Sequence, residues 1–359
     1  MRQLPAVLLV FGLSFATAQE QSADKFSGSM FGDYFYNISR DSNLPSLSNV
    51  ALPGKTADQA FQFRRIYLTY DNEISATFSS RFRLEADQTA LTSDGKISVA
   101  VKDAYLRWKH IFAGSDLLFG IQPTPAFDVS ESVWRFRSLE KTILDLRSVV
   151  GSRDLGVALK GALVENGILQ YWLMIADGSG NKPETDKYKR YYIHLHLKPV
   201  QNIQLTLYAD YHARPTIPDP FKPESKLNND NITYAIFLGY TNVDGLSIGA
   251  EGFLQSTAHG YRRGTSLTTN RAAGISLFGT ASALDNLELV ARYDYYDANI
   301  DRAARGDARH FSIGGVAWKV DKNVSIIPNV LYEFYEKNTD GRTFRASLTG
   351  RITLFYQFL

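Results

Sequence analysis

Apolar and polar residues alternate with a period of two along most of this chain, the repeat of a strand whose two faces meet different surroundings. In 203–211 one face carries Ile203, Leu205, Leu207, Ala209 and Tyr211, and the other carries Gln204, Thr206, Tyr208 and Asp210. In 78–87, Phe78, Phe82 and Leu84 oppose Arg81, Arg83, Glu85 and Asp87. In 191–198, Ile193, Leu195 and Leu197 oppose His194, His196 and Lys198. The pattern predicts about 16 strands, an even number of the kind that closes a bacterial membrane barrel. Their expected cores are 26–38, 60–70, 76–87, 97–110, 115–121, 155–163, 168–176, 190–198, 203–212, 231–242, 246–255, 271–281, 287–298, 308–319, 324–336 and 343–358.

The connections alternate between short and long. The short ones are Asp71-Asn72-Glu73, Ala113-Gly114, Glu165-Asn166-Gly167, Val200-Gln201-Asn202, Asp244-Gly245, Asp285-Asn286 and Asp321-Lys322-Asn323. These are turn chemistries, because Gly, Asn and Asp tolerate positive φ. The intervening connections, such as 39–59, 122–154, 177–189 and 213–230, are longer and more polar. Short turns at one end and longer loops at the other are the habit of outer-membrane barrels, and the phase places both termini in the periplasm.

Residues 1–18 read as a secretory signal peptide, with Arg2, an apolar core from Leu4 to Phe15, and Ala16-Thr17-Ala18 before a cleavage point that leaves 19–359 as the mature domain. No later apolar run reaches the ~20 residues of a spanning helix. Only helices and closed barrels satisfy their backbone inside lipid, so the expected fold is all-β, a transmembrane antiparallel β-barrel. Net charge is +2 and cysteine is absent, which excludes structural disulfides and thiolate metal sites and gives no basic stripe for nucleic acid. The 20 Tyr and 22 Phe suit strands and the aromatic girdles of such barrels. The last strand alternates Ile352, Leu354, Tyr356 and Phe358 with Arg351, Thr353 and Gln357. An aromatic-rich final strand is what the barrel-assembly machinery recognises, although Leu359 follows the aromatic here.

Several segments occur in the order found in the phosphate-selective porin O and P family, which the first half of the chain resembles. They are Phe31-Gly32-Asp33-Tyr34, Phe63-Arg64-Arg65-Ile66-Tyr67-Leu68, Gly120-Ile121-Gln122-Pro123-Thr124-Pro125, Trp134-Arg135-Phe136-Arg137-Ser138-Leu139-Glu140-Lys141 and Ser152-Arg153-Asp154-Leu155-Gly156-Val157. The resemblance implies a trimeric outer-membrane channel among membrane lipids, passing small ions and hydrophilic solutes and needing no cofactor. It also implies that the third external loop, 122–154, folds into the lumen and narrows it. Arg135, Arg137, Lys141, Arg147 and Arg153 are then the expected constriction residues, set against Asp128, Glu131, Glu140, Asp145 and Asp154. Arg81, Arg83 and Glu85 are expected in the lumen, with Lys160, Arg292, Arg345 and Arg351 balanced by Glu251, Glu288, Asp294 and Glu333. Mixed signs describe a wet interior with weak anion preference, whereas sharp selectivity needs rings of one sign.

Five further features carry expectations. Arg135 and Arg137 share a face if their stretch is extended. Arg64 and Arg65 point to opposite faces of a regular strand, so the outward one should lie near a strand end, where charge is cheap. His194 and His196, with His212 nearby, suit a metal but read first as polar lumen residues, since no third ligand is placed. Tyr293, Tyr295 and Tyr296 suit a sugar slide or an interfacial girdle, and Pro328 predicts weak pairing. No spacing organises a catalytic triad, phosphate loop or zinc motif. The alternatives to a passive channel are a plugged barrel acting as scaffold or adhesin, and an outer-membrane hydrolase.

Overall fold

The computed structural model describes residues 24–43, 51–164, 166–301, 304–337, 341 and 343–358. The expected leader, its cleavage point and Leu359 lie outside the described residues. The strands are β1 (Lys25–Ser39), β2 (Gln59–Glu73), β3 (Phe78–Leu91), β4 (Ile97–Phe112), β5 (Ser115–Pro123), β6 (Arg153–Ala162), β7 (Leu169–Ala176), β8 (Arg190–Val200) and β9 (Ile203–His212). After a small hairpin of β10 (Ile217–Asp219) and β11 (Lys222–Leu227) come β12 (Asn231–Thr241), β13 (Ser247–Arg263), β14 (Ser266–Leu284), β15 (Leu287–Asp297), β16 (Arg309–Asp321), β17 (Val324–Tyr335) and β18 (Ser347–Phe358). Omitting the hairpin, 16 antiparallel strands form a closed barrel in chain order, with β9 against β12 and β18 against β1.

The period-two pattern determines which way each side chain points. Ile193, Leu207, Ile236, Leu238, Ile275, Leu277, Ile352 and Leu354 lie exposed on the outer surface, while Thr206, Asp210, Glu251, Ser276, Arg292 and Glu333 are buried inward. That inverts a water-soluble domain, and it is stable only where the surroundings are apolar. Closure leaves no strand edge, so the ladder consumes the backbone donors and acceptors that lipid could not satisfy. Near the loop end, Tyr191, Tyr211, Tyr234, Tyr293, Tyr332 and Phe334 are exposed on the outside, as an interfacial girdle requires. Tyr293 and Tyr295 belong to this girdle around His310, whereas Tyr296 points inward and is buried.

The differences from the sequence pattern are local. The first turn falls at 74–77, because β2 continues through Asp71-Asn72-Glu73. The sixth external connection is only Gly264-Thr265, since β13 and β14 extend well past the rim as one long hairpin. Arg345 precedes β18 and lies exposed in the last external loop, not in the lumen. Opposite Pro328 the β16–β17 pairing lapses between Gly315↔Asn329 and Trp318↔Ile326 without a change of register. Proline has no N–H to give to the ladder.

Arg64 and Arg65 are the main correction. Phe31 pairs with Arg65 and Gly32 with Phe63, so Arg64 is the extra residue of a β-bulge. A bulge gives two residues to one opposite position and re-aims the side chains. Arg64 and Arg65 therefore both face inward, and neither meets lipid. Gly32 is required across from the bulge, because a Cβ there would lie 2.7 Å from the Gln62 carbonyl oxygen. A second bulge in β4 breaks the register between Arg83↔Asp103 and Leu84↔Val101, and it buries both Lys102 and Asp103.

Candidate functional site

The third external loop leaves β5 through Pro123 and a 3-10 turn at Pro125–Phe127, then forms α1 (Asp128–Trp134) and α2 (Ile143–Leu146) before β6. Arg135 ends α1 in the left-handed region at φ 59°, with its N–H on the Glu131 carbonyl. The chain at 135–137 is therefore not extended, and the two arginines diverge. Arg135 pairs with Glu288 and donates to Thr280 Oγ1 at 2.6 Å, on the β14–β15 wall. Arg137 pairs with Glu131 and reaches Asp145 at 2.9 Å, within the loop itself.

The loop's apolar side chains pack on inward-facing residues of the wall. Val129, Val133, Trp134, Phe136 and Leu139 join Phe237, Phe278, Phe311, Ile327 and Leu331. Phe127, Ile143, Leu144 and Val150 join Trp172, Met174, Tyr208 and Phe253. Trp134 is fully buried, donates Nε1–H to the Glu140 carbonyl at 2.8 Å, and meets the edge of Phe278 at 5.2 Å. Polar ties act at the same contact. Ser130 donates to Glu251 at 3.0 Å, Arg147 donates to Glu333 at 2.9 Å with both side chains wholly buried, and Arg351 donates to the Leu139 carbonyl at 2.7 Å.

Away from those clusters the loop meets charge. Arg64 donates to the carbonyls of Ser138 and Leu139 at 2.8 and 2.9 Å. Arg65 bonds Asp87 at 2.8 Å and lies 3.4 Å from Glu85, which takes Lys102 at 2.7 Å. Arg83 and Arg153 share Asp103, and Arg81 pairs with Asp71 at 2.6 Å. Lys141 lies 3.4 Å from Asp145. Burial pushes the Glu131 carboxyl up, against the pull of Arg137. Asp145 is also buried, yet Arg137 and Lys141 together hold it below the usual carboxylate range.

Two inward cavities flank the loop. One of about 570 Å³ opens toward the loop end and is lined by Arg40, Gln62, Arg64, Arg65, Asp87, Glu140, Lys141 and Arg351, among others. The other, about 280 Å³, lies near the turn end between β6, β7 and β8 and includes His194 and His196. Of the sequence-predicted residues, Arg137, Lys141 and Arg153 gather with the lumenal Arg83 and Glu85 on the β2–β4 side, while Arg135 and Arg147 bind the opposite wall. Sequence reasoning missed Lys102 and Asp103, and it misdirected one of Arg64 and Arg65. Consecutive charged residues inside an otherwise alternating strand were the available signal for a bulge.

This geometry defines a membrane-type barrel with a charged, water-sized interior beside a packed loop. No protein-family model matches the sequence, and no curated protein matches it. Among solved structures, the outer membrane channel DcaP of Acinetobacter baumannii superposes with a TM-score of 0.67 at 13% identity, covering 93% of this chain and 97% of that one. The anion-selective porin from Comamonas acidovorans gives 0.63 at 10% identity, with 94% and 100% covered. The trimer form of in-vitro folded OmpT, an outer membrane protein of Vibrio cholerae, gives 0.59 at 12% identity, with 94% and 99% covered. The chain has the fold of the Gram-negative outer-membrane porins. The resemblance to the phosphate-selective group narrows to that shared architecture.

Proposed function

We propose that this protein is an outer-membrane channel for passive diffusion of small hydrophilic solutes and ions, with both termini in the periplasm. The observation that carries the reading is the asymmetry of the interior. Apolar packing seats the third loop on the β6–β9 and β12–β17 walls, and the charge-lined cavity of about 570 Å³ remains beside β1–β3 and β18. The water path is therefore eccentric, and the loop sets its width. Arg137, Lys141 and Arg153 act at the constriction with Arg64, Arg65 and Lys102, and Arg81 and Arg83 line the approach from the turn end. Arg135 and Arg147 anchor the loop instead. Around the upper cavity Arg40, Arg64, Arg65, Lys141 and Arg351 face Asp58, Asp87 and Glu140, which supports a modest anion preference. The trimer form of the Vibrio cholerae protein supports a homotrimer here, and the aromatic final strand supports handling by the barrel-assembly machinery.

The test is single-channel recording of the refolded protein in planar bilayers under a salt gradient. Stable steps with a reversal potential on the anion side are expected. The pair Arg64→Gln and Arg65→Gln should move that potential toward cations, and Arg135→Ala alone should leave it in place. The dense packing of the loop favours a second reading, a plugged barrel serving as scaffold. A heat-modifiable, correctly folded barrel that passes no current would establish that reading in place of the channel.

A further inference from the structure

The channel reading leaves the two histidines of β8 without a task. His194 and His196 point inward and are only 5% and 7% exposed, yet both line the cavity near the turn end. Their ring centroids are 6.4 Å apart, with an interplanar angle of 52°. His196 shares a hydrogen bond of 3.1 Å with Gln204 Oε1 through Nε2. An amide oxygen only accepts, so Nε2 carries the proton and Nδ1 keeps its lone pair. A metal-binding imidazole typically has this second-shell arrangement, one nitrogen fixed by a carbonyl and the other free to ligate. The His194 ring contacts His196 and has no hydrogen-bond partner among the described residues. Its nitrogens are not among the sealed-off polar atoms, so an ion in the cavity can reach them.

We propose that His194 and His196 form a two-imidazole site for a borderline divalent transition ion, of which Cu²⁺ binds most tightly and Ni²⁺ and Zn²⁺ less so. Chelation with metal–nitrogen distances of ~2.0–2.1 Å and cis or tetrahedral angles brings two ring centroids to roughly 4.5–5.2 Å. The observed 6.4 Å therefore has to close by about 1–2 Å through rotation of both rings about their side-chain bonds. No group of three His, Cys, Asp or Glu among the described residues can hold a metal, so water completes the coordination. Such a site is weak and exchanges quickly, as suits an ion held in transit. The ligand set, not the mixed local charge, selects against hard cations. Lys160 lies 4.3 Å over the Trp172 ring, Arg107 is paired with Asp116, and Asp128 offers one carboxylate at the cavity. Ca²⁺ and Mg²⁺, which need several oxygen ligands, find no such set here.

The test is calorimetric titration of the refolded, detergent-solubilised full chain with CuCl₂, NiCl₂, ZnCl₂, CaCl₂ and MgCl₂. One Cu²⁺ per chain is expected, with weaker Ni²⁺ and Zn²⁺ and no Ca²⁺ or Mg²⁺. The double replacement His194→Gln, His196→Gln should lower Cu²⁺ affinity at least about tenfold, and Gln204→Leu should lower it less, by loosening the tautomer. In bilayers, Cu²⁺ added on the turn side should reduce the current reversibly. Heat-modifiable mobility verifies folding of each variant, and should the double variant misfold, His196→Gln and Gln204→Leu carry the comparison. Unchanged Cu²⁺ binding in a folded variant, or no binding by the wild-type chain, overturns the proposal. Neither result depends on whether the barrel conducts.

Discussion

Replacing Trp134 by alanine isolates what holds the third loop in place. The indole is fully buried between Phe136 and Phe278, its N–H is bonded to the Glu140 carbonyl, and the Arg292 guanidinium lies 5.4 Å over its face. Truncating a buried aromatic costs about 3–5 kcal/mol, a range that already includes the aromatic pairs. The Glu140 carbonyl also loses its donor, adding ~1–3 kcal/mol where water does not reach it. The wall strands keep their ladders, so the loss falls on loop docking. Even the lower end of that sum, about 4 kcal/mol, at ~1.4 kcal/mol per tenfold lowers the ratio of docked to undocked loop by roughly a thousandfold. Arg135, Arg137, Lys141 and Arg147 make the loop a set of tryptic sites. When opening is fast relative to cleavage, cutting tracks the open population. Trypsin should thus cut the folded Trp134→Ala barrel within this loop far faster than the parent, and single-channel recordings should show larger, noisier steps. Trp134→Phe, which keeps most of the ring and loses the donor, should fall between them. A Trp134→Ala barrel with normal heat-modifiability and unchanged loop cleavage would refute the packing account.

Three other perturbations have defined outcomes. Arg147→Met takes from the buried Glu333 its charged partner in the loop and leaves it the Ala51 N–H and the Tyr335 hydroxyl, so loop docking should weaken by about 3–5 kcal/mol, and adding Glu333→Gln should restore part of it in the same cleavage assay. Gly120→Ala should sharply reduce refolding yield, read as loss of the heat-modifiable band, because φ is 131° and the new Cβ would sit 2.2 Å from the Ala104 carbonyl oxygen. In the external loop after β15, burial and then Asp297 raise the Asp307 carboxyl to about 7. A raised acid favours the folded loop while protonated, so this contribution is complete below the ordinary carboxylate range and is lost as pH rises through about 7. Protection factors of the amides of 304–308, corrected for the intrinsic rise of exchange with pH, should fall across that interval in the parent and stay constant in Asp307→Asn.

The barrel was legible in the sequence because lipid on one side and water on the other impose a strict two-residue period, and turn residues mark its breaks. Strand number and the phase of the connections followed from that alone. The interior was only partly legible. The period assigned Arg81, Arg83, Glu85, His194 and His196 to the inside, but it assumes regular strands, and the bulges at Arg64 and Lys102 violate that assumption. Arg135 and Arg137 went astray for a related reason. A helix C-cap in the left-handed region sends the chain off in a new direction, and no alternation records it. The partners of Arg147 and Arg351 lie 186 and 212 residues away, a separation that no local pattern conveys.

The tie between Arg351 and Leu139 has a consequence for assembly. Arg351 belongs to β18, the strand that zips against β1 to complete the ring, as in the contact of Thr353 with Asp33 across 320 residues. Sealing the seam and seating the loop therefore share a residue, and β18 takes part in both. Until β18 pairs with β1, the apolar walls that seat the loop are in place, but the ring is open at one edge and the Leu139 carbonyl lacks its Arg351 donor. Ring closure and loop fastening are thereby coupled through one side chain, so a defect in either is felt by the other.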